Sequence, residues 1–274
     1  MPVIPAADHS YRYGDGLFET MKFDEGKIRL AELHFNRLFS GLKILKIQPS
    51  KFFTPEKISG EITALCKKNN CGENARVRLS VSRGSGGVFD CDDRFSYLIE
   101  CWPLSQAIDE WKENGLMIDI FQDARKSMDQ FSNLKTANYL PYAMAALWAK
   151  ENKLNEALLL NAANRICDAT TANIFWVKGE MIFTPPLSEG CVAGVVRQGI
   201  LDFRLRTLPA GRQVADLGLK LDETILTKDV LIAADEVFLT NAIHGIRWVR
   251  QCGEKEFSNV ITQKIFSVLQ QTNH

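Results

Sequence analysis

The chain has no excess of either charge. Its 33 basic residues stand against 33 acidic ones in 274, so nothing in the overall electrostatics would draw it to nucleic acid or to an anionic membrane surface. It also has no long apolar run: nowhere do eighteen apolar residues follow one another, whereas a membrane helix needs about twenty. The opening Met1-Pro2-Val3-Ile4-Pro5 lacks the basic stretch and apolar core of a secretory leader. Together these absences predict a cytoplasmic protein. Histidine is scarce, at positions 9, 34, 244 and 274 only, with no spacing that gathers metal ligands, and no metal site is expected. The seven cysteines (66, 71, 91, 101, 167, 191 and 252) form no Cys-x-x-Cys pair. Their number is odd, and the chain is far too long to need disulfide staples. They are expected as reduced thiols, mostly buried. No internal repeat and no low-complexity tract is found.

What the chain does have is enough apolar material, 46% of its residues, to fill the cores of two domains. Leu17 to Phe23 and Lys27 to Leu30 read as extended runs around the turn Asp24-Glu25-Gly26, and Leu38, Leu42 and Leu45 form a helical stripe. Arg76 to Ser82 alternates strictly, and Phe95 to Trp102 is a further strand. The polar stretch 103–114 is the expected linker, separating a small α+β domain, 1–108, from a larger one, 109–274. The second domain begins with a strand at Leu116 to Phe121 and continues through Glu156 to Leu160. Ile174 to Val177 and Met181 to Thr184 flank the turn Lys178-Gly179-Glu180. Asp168 is expected on the approach to a strand. The stretch 208–213 (Leu-Pro-Ala-Gly-Arg-Gln) is read as a surface insertion without catalytic meaning.

Two segments carry the chemistry. Lys135 lies in Asn133-Leu134-Lys135-Thr136-Ala137-Asn138-Tyr139-Leu140-Pro141, a loop feeding a helix marked by Tyr139, Leu140, Ala143, Met144, Leu147 and Trp148, with proline tolerated in the first turn. Asp168 lies in Cys167-Asp168-Ala169-Thr170-Thr171-Ala172-Asn173-Ile174-Phe175. A lysine amine can hold an aldehyde cofactor as a Schiff base, and a carboxylate facing a pyridine nitrogen keeps it protonated so that the ring can accept electrons. The pair suggests pyridoxal phosphate.

These segments resemble the class IV aminotransferases, the pyridoxal phosphate enzymes of fold type IV, which include branched-chain and D-amino-acid aminotransferases and aminodeoxychorismate lyases. Further matches follow in the family's order: Tyr13 to Thr20 (Tyr-Gly-Asp-Gly-Leu-Phe-Glu-Thr), His34-Phe35-Asn36-Arg37-Leu38, Ser82 to Gly87 (Ser-Arg-Gly-Ser-Gly-Gly), Thr184 to Leu187, Gly194 to Arg197 and Asp235 to Phe238. The resemblance covers nearly the whole chain. It implies an α+β fold with a small α/β domain and a larger domain having a β-barrel-like core, and a homodimer in which the partner's small domain helps to close each active site.

It also implies roles. Lys135 would carry the cofactor and move the proton; Asp168 stands where the family usually has glutamate, shorter by one C–C bond, about 1.5 Å. Tyr139 matches the tyrosine that reaches the ring hydroxyl and Arg37 the arginine that grips the phosphate, for which a planar guanidinium is suited. Val195 and Val196 would offer backbone N–H groups at a helix start, and Thr240, Asn241 and Ala242 lie where the phosphate cup closes. Arg83 would hold a substrate carboxylate, with Tyr11 or Arg76 as alternatives; His244 stands where lyase-like members often have arginine and is a weaker anion clamp when neutral. The motifs at Tyr13 to Thr20, Ser82 to Gly87 and Phe238 to Ala242 resemble aminodeoxychorismate lyases more than branched-chain aminotransferases. A class IV transaminase of branched-chain or D-amino acids remains the alternative, and a non-enzymatic relative a minor one.

Overall fold

The computed structural model describes residues 4–71, 74–92, 94–202 and 219–271; the proposed insertion at 208–213 lies outside them. The chain separates into one unit, Met1–Ile108 with Leu134–Tyr139, and a second, Asp109–Asn133 with Leu140–His274.

In the first unit a short helix α1 (His9–Tyr13) is capped by Asp8, whose carboxylate accepts from the amides of Ser10 and Tyr11. Strand β1 (Gly16–Asp24) turns through Glu25-Gly26 into β2 (Lys27–Ile28). Gly26 takes the left-handed φ of 82° that a side chain would disfavour. The Leu38/Leu42 stripe lies on α2 (Ala31–Ile44). Helix α3 (Pro55–Lys68) starts as its sequence directs, with the Thr54 hydroxyl accepting from Lys57 N–H, Pro55 in the first turn, and Lys67 and Lys68 at the negative end. The alternating run becomes β3 (Asn74–Ser82), and β4 (Ser96–Pro103) completes an antiparallel sheet of order β2-β1-β3-β4. One face of it, Leu17, Met21 and Phe23 with Val77, Leu79 and Val81, packs on Leu38, Leu42, Ile58 and Ile62.

The segment Leu134–Tyr139 belongs to this unit rather than the second, where the sequence reading put the Schiff-base lysine. The reason is backbone pairing: Phe18 N–H donates to Lys135 C=O and Ala137 N–H to Gly16 C=O, both at 2.9 Å, around the bridge Leu17–Thr136.

In the second unit β5 (Leu116–Lys126) runs five residues beyond the apolar stretch that betrays it. After it come α4 (Leu140–Glu151), β6 (Glu156–Asn161), β7 (Ile166–Ala169), β8 (Asn173–Lys178), β9 (Met181–Thr184), α5 (Val195–Asp202), β10 (Lys220–Glu223), α6 (Lys228–Ala233), β11 (Glu236–Asn241), β12 (Gly245–Cys252), β13 (Lys255–Glu256) and α7 (Val260–Gln271). The strands form one mixed sheet, β10-β9-β8-β11-β12-β5-β6-β7, with β13 beside β12. Asp168 sits within a strand of its own, β7, paired opposite Leu159 of β6, and not merely ahead of one.

Both faces of this sheet are covered, which is why Ile174 to Val177 is apolar at every position. Ile174 and Trp176 join Val237, Leu239 and Val249 on one side; Phe175, Val177 and Phe238 meet Ile200 of α5 and Ile265 of α7 on the other. Phe175 and Phe238 stack at 5.0 Å across β8 and β11. Truncating such a ring removes its transfer energy and leaves a cavity. Phe238→Ala is expected to lower stability by about 3–5 kcal/mol, read by denaturant unfolding; a loss below about 1 kcal/mol would contradict this packing.

Candidate active site

The candidate lysine is held against β1. With its carbonyl fixed to Phe18 N–H, half-buried Lys135 places Nζ 4.5 Å from the centre of the Phe18 ring and 5.5 Å from that of Tyr139. Tyr139 meets Phe18 edge-on at 5.4 Å. Arg78, on the same face of the sheet, lies 3.8 Å from the Phe18 ring centre, so two cations stand against one aromatic ring. Gly14 admits the segment: a Cβ there would come within 2.7 Å of Asn138 Cβ.

On the opposite, core-facing side of β1, Glu19 is buried between His34 and Arg37 of α2. Arg37 donates from Nε to Oε1 at 2.8 Å and from Nη2 to Oε2 at 2.5 Å, and His34 Nδ1 lies 2.6 Å from Oε2. Burial alone would raise the Glu19 pKa; the Arg37 charge and the His34 hydrogen bond overcome it and hold it near 2. Arg37 thus gives two of its donors to a carboxylate inside the unit. Arg83 is likewise engaged: it holds Asp15 bidentately at 2.6 and 3.1 Å and donates to the carbonyls of Leu45 and Lys46 beyond α2. Tyr11 is exposed on α1, and Arg76 lies over Trp102.

The candidate carboxylate lies in the second unit. Asp168, 1% exposed, accepts at Oδ2 from Lys126 Nζ and the Tyr142 hydroxyl, both at 2.8 Å, and from Val192 N–H at 2.9 Å; Oδ1 accepts from Asn173 Nδ2 at 3.0 Å. Lys126 was not legible as a site residue because it closes β5 after the polar run Gln122 to Arg125, where apolar alternation has stopped. Its ammonium also stands 4.9 Å from the Tyr142 ring.

Asn173 connects this carboxylate to a second feature. The same Nδ2 donates to Val192 C=O at 2.8 Å, and Asn173 pairs with Thr240 across β8 and β11. Thr240 falls on the face that carries Phe238 and therefore looks toward α5, which packs on β11. Among the described residues its buried Oγ1 has no hydrogen-bond partner. Just ahead of α5, Gly194 lies so close to Asn173 that a Cβ would sit 1.8 Å from Oδ1. The first amides of α5, Val195 and Val196 included, have no acceptor within the helix. An orphaned hydroxyl, a glycine cradle and a helix start are the chemistry of an anion site. Asn241 caps the following turn, accepting from the amides of Ile243 and His244 at 3.0 and 2.8 Å. His244 and Asn241 line a shallow depression with Glu156 and Arg247. Burial raises the pKa of Glu156. Among the described residues no cluster of His, Cys, Asp and Glu is placed to hold a metal, and no helix is long and apolar enough to cross a membrane.

The pattern of the family described as "Amino-transferase class IV" matches residues 16–252. The chain belongs to this family. Class IV aminotransferases are pyridoxal phosphate-dependent lyases and transaminases. Aminodeoxychorismate lyase of Bacillus subtilis is 29% identical over 285 residues, covering 96% of this chain and 92% of its own. Among solved structures, a putative 4-amino-4-deoxychorismate lyase from Legionella pneumophila superposes with a TM-score of 0.85 at 23% identity, covering 99% of this chain and 96% of that one. The branched-chain amino acid aminotransferase of Escherichia coli gives 0.82 at 20%, covering 98% and 88%. The fold is that of the fold type IV enzymes, and the cradle at Gly194 with the orphaned Thr240 hydroxyl fits the phosphate of their cofactor.

For this class IV chain the buried Glu19 predicts an acid limit. A pKa lowered from the usual 4.5 to about 2 contributes stability that is fully present above pH 4.5 and is lost as pH falls toward 2. At 1.36 kcal/mol per unit this is about 3 kcal/mol. The stability gap between wild type and Glu19→Gln should be of that order at neutral pH and shrink between pH 4.5 and 2. A gap independent of pH in that window would refute the assignment.

Proposed function

We propose that this chain is an aminodeoxychorismate lyase, converting 4-amino-4-deoxychorismate to p-aminobenzoate and pyruvate in folate biosynthesis. The observation that carries the reading is the near full-length match to a relative of that name, joined to the lysine on β1 and the buried carboxylate beside an anion cradle. When bound, pyridoxal phosphate supplies an electron sink for charge left on a substrate carbon. Lys135 Nζ is the amine that would hold its aldehyde. Freed from that aldehyde, the same nitrogen would take the ring proton at the amine-bearing carbon; the electron pair left there would complete the aromatic ring as the C–O bond to the enolpyruvyl group breaks, and the departing enolate would gain a proton to become pyruvate. Tyr139 would donate toward the ring hydroxyl, and Asp168 would hold the pyridine proton. The Thr240 hydroxyl and the amides of Val195 and Val196 would bind the phosphate, with Arg37 as the guanidinium of the family pattern; Asn241 would act indirectly, by shaping the turn after Thr240.

Substrate carboxylates fall to Arg83, Tyr11 and His244 in the sequence reading. Arg83's engagement with Asp15 favours a structural part for it, and Arg78 over Phe18 adds a cation on the face that carries Lys135. A homodimer is part of the proposal, in keeping with the common symmetric state of soluble oligomers, and so is a cytoplasmic location.

The alternative is a transaminase, in which Lys135 Nζ relays the proton to a different carbon and a 2-oxo acid leaves. The deciding assay offers purified protein 4-amino-4-deoxychorismate beside a panel of L- and D-amino acids with pyruvate or 2-oxoglutarate. p-Aminobenzoate is expected from the wild type, at least about a thousandfold less from Lys135→Ala, and borohydride should fix the cofactor to Lys135. Amino-group exchange without p-aminobenzoate would replace the lyase reading with the transaminase one, and label on another lysine would remove both.

A further inference from the structure

Asp168 is not a bare anion. Lys126 Nζ lies 2.8 Å from its Oδ2, with both side chains below a tenth exposed, and among the described residues it is the only cation hydrogen-bonded to that carboxylate. The other groups facing Asp168 carry no compensating charge. Tyr142 of α4 donates its phenol. The thiol of Cys167, next to Asp168 in β7, is pushed up by burial and by the Asp168 charge, as is that of Cys191 ahead of α5, to about 12. Both are therefore neutral thiols near neutral pH. Arg197 of α5, the next cation toward Cys191, is itself paired with Glu223 and donates to Pro185 C=O at 2.9 Å. Val192 N–H and Asn173 Nδ2 add dipoles but no charge. Asp168 and Lys126 therefore form a buried pair of zero net charge, held in place from β5, α4, β8 and the loop before α5.

We propose that Lys126 is a positioning residue that sets the charge Asp168 presents to the cofactor ring. The proposal rests on the pyridoxal phosphate reading above. A neutral ion pair attracts a ring proton less than an isolated carboxylate in the same low-dielectric surroundings, so Lys126 weakens the electron sink while pinning the carboxylate that serves it. This matches a chain in which aspartate, shorter than the family's glutamate, is fixed by four donors and has no freedom to adjust its reach.

The test uses holoenzyme reconstituted with pyridoxal phosphate, and three variants: Lys126→Met, Lys126→Arg, and Lys126→Met combined with Asp168→Asn. The readout is the pH midpoint of the bound cofactor's absorbance change, taken beside thermal unfolding and the kcat and KM split. Removing the cation should move the midpoint upward by about 1 to 3 pH units and change kcat more than KM. Lys126→Arg should bring it back toward wild type, and the double variant should lose the upward shift. Lys126→Met leaves a buried unpaired carboxylate; should it fail to fold, the double variant, which has no such charge, and Lys126→Arg still report the midpoint. Unfolding changes with an unmoved midpoint would make Lys126 merely structural and overturn the proposal. So would a double variant that keeps the shift, or, where the single variant does not fold, a double variant that titrates at the wild-type midpoint. Borohydride labelling separates the failures: label on Lys135 with an unmoved midpoint refutes only the role of Lys126, whereas no label on wild-type Lys135 refutes the cofactor reading and this inference with it.

Discussion

A carboxylate cannot be taken out of water alone; it must find a cation or a set of donors, or give up its charge. Among the carboxylates that this chain buries, Glu19 and Asp168 have partners that shape the residues near them. Glu19 lies on the core face of β1, and its need for a counter-charge fixes Arg37 and His34 on the facing turn of α2. Asp168 lies in β7 and draws in the end of β5, the first turns of α4, the head of β8 and the amide before the α5 cradle. In each unit the buried acid therefore organises residues that the proposed function uses: in the first, the strand whose backbone pairs with the Lys135 segment; in the second, the strand and helix start beside Gly194 and Thr240. Functional geometry and the avoidance of unpaired charge are here the same constraint.

The local structure of this chain was legible wherever burial imposes a period. The strict alternation at Arg76 to Ser82 and the stripe Leu38/Leu42 became β3 and α2, each with a more buried and a wetter face, and the turn at Glu25-Gly26 became the β1–β2 hairpin. The Lys135 motif was legible for another reason: its neighbours match a family pattern, and the backbone pairing of Lys135 and Ala137 with β1 shows why the Tyr13 to Thr20 segment travels with it. Lys126 and Asn173 were not legible as partners of Asp168, since their importance arises from contacts across 42 and 5 positions in sequence that no local period encodes. β7 escaped notice because four residues, Ile166 to Ala169, are too few to display alternation.

Two assignments made from residue type change meaning once partners are visible. Arg83 was read as a carboxylate clamp because guanidinium suits carboxylates; it does hold one, but the carboxylate is Asp15, and its remaining donors close the backbone after α2. Asn241 was read beside the phosphate cup, and its side chain instead stabilises the turn that follows Thr240. In both cases the structure gives the side chain a partner within the protein. Thr240 shows the converse. The family pattern put this threonine where the phosphate cup closes, and among the described residues its buried hydroxyl, on the α5 side of the sheet, has no partner within the protein.

The aspartate at 168 is best understood through the same cluster. A glutamate there would extend the carboxylate by about one C–C bond, roughly 1.5 Å, into space that Lys126, Tyr142 and Val192 N–H already define at 2.8 to 2.9 Å. Inserting a methylene in so enclosed a position costs about 1–3 kcal/mol unless the surroundings move, and the surroundings here are strand backbone and a helix turn packed on the core. The shorter acid and the buried lysine are consequently one solution rather than two independent departures. Aspartate leaves room for the lysine, and the lysine supplies the counter-charge beside a carboxylate buried in β7. Changing either residue alone disturbs the other, so the pair must be altered together for its electrostatic role to be separated from its packing.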